Sequence, residues 1–202
     1  MSSDGRYISF YSYSTNLVAG DTNGQADVFL HDTQTGTTTR VSVDSLGDES
    51  DGPSSTSNVS SDGRYVTFIS EAQVWTLIFH MTYINKIYIR DTQTSETSIV
   101  FNGNNPSYLG YSANSVTSDG VYLAFSSAST NVIEDDNNSE SDVFIYNTQT
   151  SDIDAISLTN NPQTTVFQVN GAPTYSKISG DGRYVAFFSS FEYSSETIQT
   201  EI

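Results

Sequence analysis

The chain has 202 residues, enough for one domain with a real core, and carries 7 Lys and Arg against 24 Asp and Glu, a net charge of −17. That balance argues against nucleic-acid binding, which needs a basic stripe, and against an anionic membrane surface; it favours solubility or cation binding. There is no cysteine, so no disulfide or thiolate metal site, and no apolar run nears the roughly 20 residues of a membrane span.

The N-terminus, Met1-Ser2-Ser3-Asp4, has no basic or apolar leader region and enters a repeat at once. We expect a piece of a longer chain. The repeated stretch is Ser3-Asp4-Gly5-Arg6-Tyr7-Ile8-Ser9-Phe10. It returns at Ser61-Asp62-Gly63-Arg64-Tyr65, at Ser118-Asp119-Gly120-Val121-Tyr122 and at Gly180-Asp181-Gly182-Arg183-Tyr184. Its glycines fall at 5, 63, 120 and 182, steps of 58, 57 and 62 residues. A period of that size marks a solenoid, a propeller or an array.

Within the first unit, a strand is expected over Arg6 to Tyr11, then a polar loop from Ser14 to Ala26, then a strand over Asp27-Val28-Phe29-Leu30-His31. The turn Asp32-Thr33-Gln34-Thr35-Gly36 leads to a third strand, Thr37 to Val43. The loop Asp44 to Ser54 leads to a fourth, about Ser55 to Val59. Unit two repeats this order with strands over Tyr65–Ser70, Lys86–Arg90, Thr97–Phe101 and about Ala113–Val116. Unit three gives Val121–Ser126, Asp142–Tyr146, Ile153–Leu158 and Thr174–Ile178. The fourth unit stops after Arg183 to Phe188, and the polar tail 192–202 is expected to be loose. Runs such as Val28-Phe29-Leu30 are apolar on both faces and need cover on both, which neighbouring propeller blades supply.

The fold class expected is all-β: a partial propeller of about three four-stranded antiparallel blades plus the start of a fourth. It forms a single arc over 1–202, with units at about 3–60, 61–117, 118–179 and 180–191. One stretch departs from the pattern. Val74 to Ile84, which holds Trp75, is apolar where units one and three have a polar loop. It reads as a lengthened hairpin packed on the blade, with a partner-binding patch as the alternative.

These motifs, with Asn16-Leu17-Val18, Asp21-Thr22-Asn23-Gly24, Thr35-Gly36 and Arg40-Val41-Ser42, resemble the TolB-type (WD-like) β-propeller repeat over roughly residues 2–191. The resemblance implies that the strand before each Ser-Asp-Gly is the innermost of its blade. It also implies an extracellular, cell-surface or periplasmic setting. It is weak for function, because propellers host unrelated roles.

Four features carry candidate chemistry. The Ser-Asp-Gly turn differs from the sialidase-type Asp box, because Asp and Gly are adjacent and no Trp follows; it reads as a tight turn with Asp capping N–H groups. Arg6, Arg64 and Arg183 are expected to pair with carboxylates of their own blades, with Val121 standing in unit three. The loops Asp21-Thr22-Asn23-Gly24-Gln25-Ala26-Asp27 and Asp136-Asn137-Asn138-Ser139-Glu140-Ser141-Asp142 share Asp-x-Asn-x-x-x-Asp. Asp21, Asn23, Asp27, Asp136, Asn138 and Asp142 are therefore candidate calcium ligands, resembling half a calcium loop, and an Asx-turn is the plainer alternative. Asn58-Val59-Ser60 and Asn137-Asn138-Ser139 fit the glycosylation pattern.

No enzyme motif is present: no Gly-x-Ser-x-Gly, no His-Glu-x-x-His and no phosphate loop. The two histidines, His31 and His80, read as structural. The expected role is a non-catalytic module for protein–protein interaction, possessing no certain cofactor other than the candidate calcium. Its partner is a protein, or a copy of itself met through open blade ends. The alternatives are the propeller part of a hydrolase whose catalytic domain lies elsewhere, and a self-assembling structural subunit.

Overall fold

The computed structural model describes residues 1–71, 86–102, 115–134, 141–157 and 174–188. The apolar stretch 74–84, the polar tail 192–202, and the candidate ligands Asp136 and Asn138 lie outside the described residues. No helix occurs among the described residues, so none is long and apolar enough to cross a membrane.

Among the described residues, thirteen strands form four antiparallel sheets. The first contains β1 (Tyr7–Ser12), β2 (Asp27–Asp32) and β3 (Thr37–Arg40). The second contains β4 (Ser54–Val59), β5 (Tyr65–Ser70), β6 (Lys86–Asp91) and β7 (Glu96–Asn102). The third contains β8 (Ser115–Val116), β9 (Tyr122–Ser127), β10 (Asp142–Asn147) and β11 (Ile153–Ala155). The fourth pairs β12 (Thr174–Ile178) with β13 (Val185–Phe188). In every sheet the strands are paired in sequence order, as a meander.

β3 ends three residues short of the strand expected to Val43. The reason is local. The N–H groups of Val41 and Ser42 both aim at the Val28 carbonyl (2.8 and 3.4 Å), which breaks the ladder, and the Ser42 hydroxyl turns inward to Asp27. β11 similarly stops at Ala155 as Ile156 N–H reaches back to Val143 O.

The blades stack face to face. One core lies between the first and second sheets: Val28, Leu30 and Val41 meet Val59, Val66 and Phe68. A larger one lies between the second and third, where Ile69, Ile87 and Phe101 meet Leu123, Phe125 and Phe144. The third-to-fourth core is small, Ala124 and Ile145 against Ile178, because the fourth sheet has only two described strands. Within blades, directly opposed aromatics stack: Phe10 on Phe29 at 5.6 Å, Phe68 on Tyr88 at 5.4 Å and Phe125 on Phe144 at 5.5 Å.

The Ser-Asp-Gly turn recurs with one bonding scheme. Asp4 Oδ1 accepts Arg6 N–H (3.0 Å) and the Ser2 hydroxyl (2.7 Å), while Ser2 Oγ accepts Tyr7 N–H (2.8 Å). Ser60 with Asp62, Thr117 with Asp119 and Ser179 with Asp181 repeat it. The glycine that follows has φ of +75 to +80° in all four turns. It also does a second job. A methyl group on Gly63 would overlap the ring of Tyr7 from the preceding blade, and one on Gly120 would overlap Tyr65. Tyr122 stands beside Gly182 more loosely: a methyl group there would lie 3.4 Å from its ring, an ordinary contact. The tyrosines also lie under their own arginines, Arg6 over Tyr7 and Arg64 over Tyr65, each at 4.8 Å.

Those arginines are fixed by the Asp that opens the next turn, Arg6 to Asp32 (2.7 Å) and Arg64 to Asp91 (2.6 Å). Both carboxylates accept two N–H groups of the guanidinium and cap the turn N–H groups after them. In unit three both partners change together: Val121 replaces Arg and Asn147 replaces Asp. Asn147 keeps the turn caps to Gln149 and Thr150 without the ion pair.

Two predictions follow from this geometry. Gly5→Ala meets open space and bears only the cost of a positive φ, about 1–2 kcal/mol. Gly63→Ala and Gly120→Ala also overpack a ring, adding roughly 1–3 kcal/mol, so their melting temperatures should fall well below that of Gly5→Ala. Equal losses at all three positions would show that the ring contact contributes nothing. The second concerns acid. The Arg64 guanidinium, with the turn N–H groups, holds the Asp91 carboxyl down at about 2, against an ordinary 3.8. A lowered folded pKa stabilises above the unfolded value and loses that contribution as pH falls through the folded one. The stability gap between the native chain and Arg64→Met should be full above about pH 4 and narrow towards pH 2 in denaturant titrations.

Candidate functional site

The loop 14–26 and the loop 43–53 meet at one edge of the first sheet, where three acidic side chains converge. Asp21, Asp27 and Glu49 each offer a carboxylate oxygen, all within 4.8 Å of one another. Arg40, on β3, stands among them. Its Nη1 lies 2.7 Å from Glu49 Oε2, 3.4 Å from Asp27 Oδ2 and 3.7 Å from Asp21 Oδ1, and its Nη2 donates to Gly20 O at 2.9 Å. Asp27 is fully buried and takes the Ser42 hydroxyl at 2.5 Å. Glu49 is gripped by the backbone N–H and hydroxyl of Thr22.

The charges do not balance, and one oxygen shows it. Asp21 has a side chain only 2% exposed, and its Oδ1 has no hydrogen-bond donor. Burial pushes its carboxyl above the ordinary range, the Asp27 and Glu49 charges push it further, and Arg40 opposes them. For Glu49 burial acts in the same upward sense, but the Thr22 donors and Arg40 outweigh it and hold the carboxyl low.

Asn23 is not turned towards these oxygens as a ligand would be. Its Oδ1 accepts Gln25 N–H at 2.8 Å, closing an Asx-turn, and its Nδ2 donates to Asp27 Oδ2 (3.1 Å) and Ser50 O (2.9 Å). Of the first loop's three candidate ligands, then, Asp21 and Asp27 come together and Asn23 braces them. Asp142 is fully buried in the third sheet and accepts the Ser157 hydroxyl at 3.1 Å, as Asp27 accepts Ser42. The position opposite Phe144, where Arg40 stands opposite Phe29 in the first sheet, holds Ala155. Asp27 and Asp142 thus have different neighbours on the adjoining strand.

Next to this cluster, a cleft of about 650 Å³ opens between the loop 43–51 and the second blade. Phe68, Tyr88 and Ile99 form an apolar wall, with Leu46 at the loop tip. Four carboxylates, Asp44, Asp48, Glu49 and Asp51, stand on the loop side. No Lys or Arg is among its described lining residues. The Tyr88 hydroxyl is buried with no hydrogen-bond partner. Burial, followed by the Asp51 charge, pushes its pKa well above the ordinary phenol range. The loop is anchored to β7, with Ser45 Oγ accepting Thr97 N–H (3.0 Å) and Thr97 Oγ1 donating to Val43 O (2.7 Å), and Arg90 donates to Asp44 O (3.1 Å). Asp44 Oδ1 in turn accepts the N–H groups of Leu46 and Asp48.

No protein-family model matches this sequence, and no curated protein matches it. Solved structures do. TolB from Acinetobacter baumannii is similar with a TM-score of 0.53 and 17% identity, over 91% of this chain and 35% of that one. The chain has a TolB-like β-propeller fold. The tricorn protease is similar at 0.55 and 11% identity, over 98% of this chain and 16% of that one. Dipeptidyl peptidase 4 of Porphyromonas gingivalis is similar at 0.52 and 16% identity, over 93% and 28%. This TolB-like propeller therefore spans about a third of the first relative's length.

Arg40 and Glu49 were the residues that sequence reasoning missed at this site. Arg40 was visible only as part of the Arg-Val-Ser strand, and Glu49 sits 27 positions after Thr22. The one available signal was that an arginine directly opposite Phe29 lies within reach of Asp27, two residues earlier in β2.

The raised Asp21 pKa has a checkable sign. The folded state binds this proton more tightly than the unfolded chain does, so ionised Asp21 destabilises, and the penalty grows as pH rises through the folded pKa. Asp21→Asn should therefore be more stable than the native chain at pH 7, and the gain should vanish below the ordinary carboxylate range. A destabilised Asp21→Asn at pH 7 would mean that its charge is needed.

Proposed function

We propose that this chain is a non-catalytic propeller module, acting outside the cytoplasm, that binds a partner protein through the cleft between its first two blades. The partner presents a basic side chain, Lys or Arg. The observation that carries this reading is the pairing of an apolar wall with a one-signed rim: Phe68, Tyr88 and Ile99 face four carboxylates. A long basic side chain has matching parts, an aliphatic stem for the wall and a cationic head for the rim. The setting follows from the TolB-type resemblance.

In the same reading the Asp21–Asp27–Glu49 cluster is structural. Arg40 takes the place a calcium ion would need and ties the loop bearing Glu49 to the first sheet. A calcium-dependent rise in melting temperature, lost in Asp21→Asn, would overturn this.

The binding test uses a fluorescein-labelled hexa-arginine peptide, with hexa-glutamate as control, followed by anisotropy at low and moderate salt. Asp48→Lys, in the cleft, should weaken arginine-peptide binding about 10-fold more than Asp152→Lys on an exposed site elsewhere, a difference of about 1.4 kcal/mol. Tyr88→Phe should leave stability unchanged or raised, since it removes a buried hydroxyl with no hydrogen-bond partner among the described residues, and should leave affinity unchanged because the apolar wall is kept. Equal weakening by Asp48→Lys and Asp152→Lys would reduce the binding to general attraction for an acidic protein and defeat the cleft.

A further inference from the structure

The loop that carries Asp21 also holds an Asn-Gly pair, Asn23-Gly24. Asn23 Oδ1 accepts Gln25 N–H at 2.8 Å. Its Nδ2 is shared between Asp27 Oδ2 at 3.1 Å and Ser50 O at 2.9 Å. Gly24 is exposed at φ +64°, and a methyl group on it would meet nothing within 4 Å. Its N–H donates to no group among the described residues.

The third blade supplies a comparison. Asn147 makes the same kind of turn, its Oδ1 accepting Gln149 N–H at 2.9 Å. The residue after it is Thr148, which is branched at Cβ and whose N–H is tied to Val121 O at 2.9 Å. The two asparagines thus share the bond to the side-chain oxygen and differ in the freedom of the next backbone nitrogen.

We infer that Asn23 is a site of spontaneous modification, an intramolecular deamidation in which Gly24 N attacks Asn23 Cγ. A base from solvent takes the proton of Gly24 N. The N–Cγ bond forms, the Cγ–Nδ2 bond breaks, and the amide nitrogen takes a proton from water and leaves as ammonia. Water then opens the cyclic imide at either carbonyl, which leaves Asp or an isoaspartyl linkage at position 23. Gln25 N–H already bonds the oxygen on which negative charge develops, the placement by which a backbone donor lowers such a barrier. Glycine puts no Cβ beside the attacking nitrogen.

The product reverses the polarity of the atom that braces the loops. Nδ2 is a donor, and the carboxylate oxygen that replaces it only accepts. The bonds to Asp27 and Ser50 O are therefore both lost, and a fourth carboxylate joins Asp21, Asp27 and Glu49 around one Arg40. Like charges so close repel. Ser50 lies on the loop that lines the cleft, so the conversion unties that loop from the loop 14–26. The inference stands whether or not the cleft binds a basic side chain.

Peptide mapping of the chain held at mildly alkaline pH tests it, with isoaspartyl methyltransferase to label the isoaspartyl product and the chain in urea as the unfolded reference. In the folded chain Asn23 should convert at a rate within about 10-fold of its unfolded rate, while Asn147 should fall more than about 10-fold below its own. Asn23→Asp, a stand-in for the product, should melt below the native chain. A folded chain that keeps Asn23 intact while the unfolded one converts it overturns the site. Equal slowing of Asn23 and Asn147 by folding also overturns it, because the freedom of the attacking nitrogen would then decide nothing. An Asn23→Asp variant that melts with the native chain overturns the untying of the loop.

Discussion

The structure depends on one close approach, the tyrosine ring of one blade against the glycine of the next. At Gly63 and Gly120 two reasons favour glycine together: φ is positive, and a Cβ would enter the ring. The approach sets how near the blades come, and so which side chains can fill the space between them. Val28 and Leu30 reach Val66 and Phe68 across the first junction, and Phe101 stacks on Phe125 at 5.6 Å across the second. The ion pairs behind the rings are secondary. Arg6–Asp32 and Arg64–Asp91 are partly exposed, and such pairs stabilise modestly. Their part is to hold a guanidinium over the ring, and unit three, with Val121 and Asn147, keeps its junction without them.

Polar groups inside the arc are managed by short hydroxyl side chains. Ser2, Ser60, Thr117 and Ser179 each donate to the turn Asp and accept from the strand N–H. Ser42 and Ser157 each give a hydroxyl to a fully buried Asp and accept from the N–H of the residue after it, Val28 or Val143. A hydroxyl is both donor and acceptor, so one atom satisfies two buried groups whose exposure to an apolar core would cost about 1–3 kcal/mol each. A chain with so many acids can therefore keep Asp27 and Asp142 in its interior.

The blades are alike in hydrogen bonding and unlike in charge, and the unlikeness places the cleft. The loop 43–51 carries four acids and leans on β7 through Ser45, Thr97 and Arg90. The second blade answers with an apolar surface, because its register sets Phe68 against Tyr88 and brings Ile99 beside Tyr88. Arg40 ties Glu49, on the same loop, to the first sheet. The cleft and the acidic cluster thus use neighbouring faces of one loop.

Much of this was legible in the sequence. The four Ser-Asp-Gly turns at near-even spacing gave the repeat, the doubly apolar run Val28-Phe29-Leu30 gave the need for cover on both faces, and the strand order followed from the turn residues between them. These features are local, and local chemistry is what a sequence spells out directly. The ring-on-glycine contact was not legible, though every residue in it was quoted, because Tyr7 and Gly63 are joined only by the angle between blades. The cluster was legible only in part, for the same reason. Asp21-x-Asn23 spelled a ligand loop, and only the fold brought in Arg40 from a strand edge and Glu49 from the following loop. Charge pairing across a sheet and between loops depends on distances that spacing along the chain does not encode, and tertiary structure alone set Arg40 among those carboxylates.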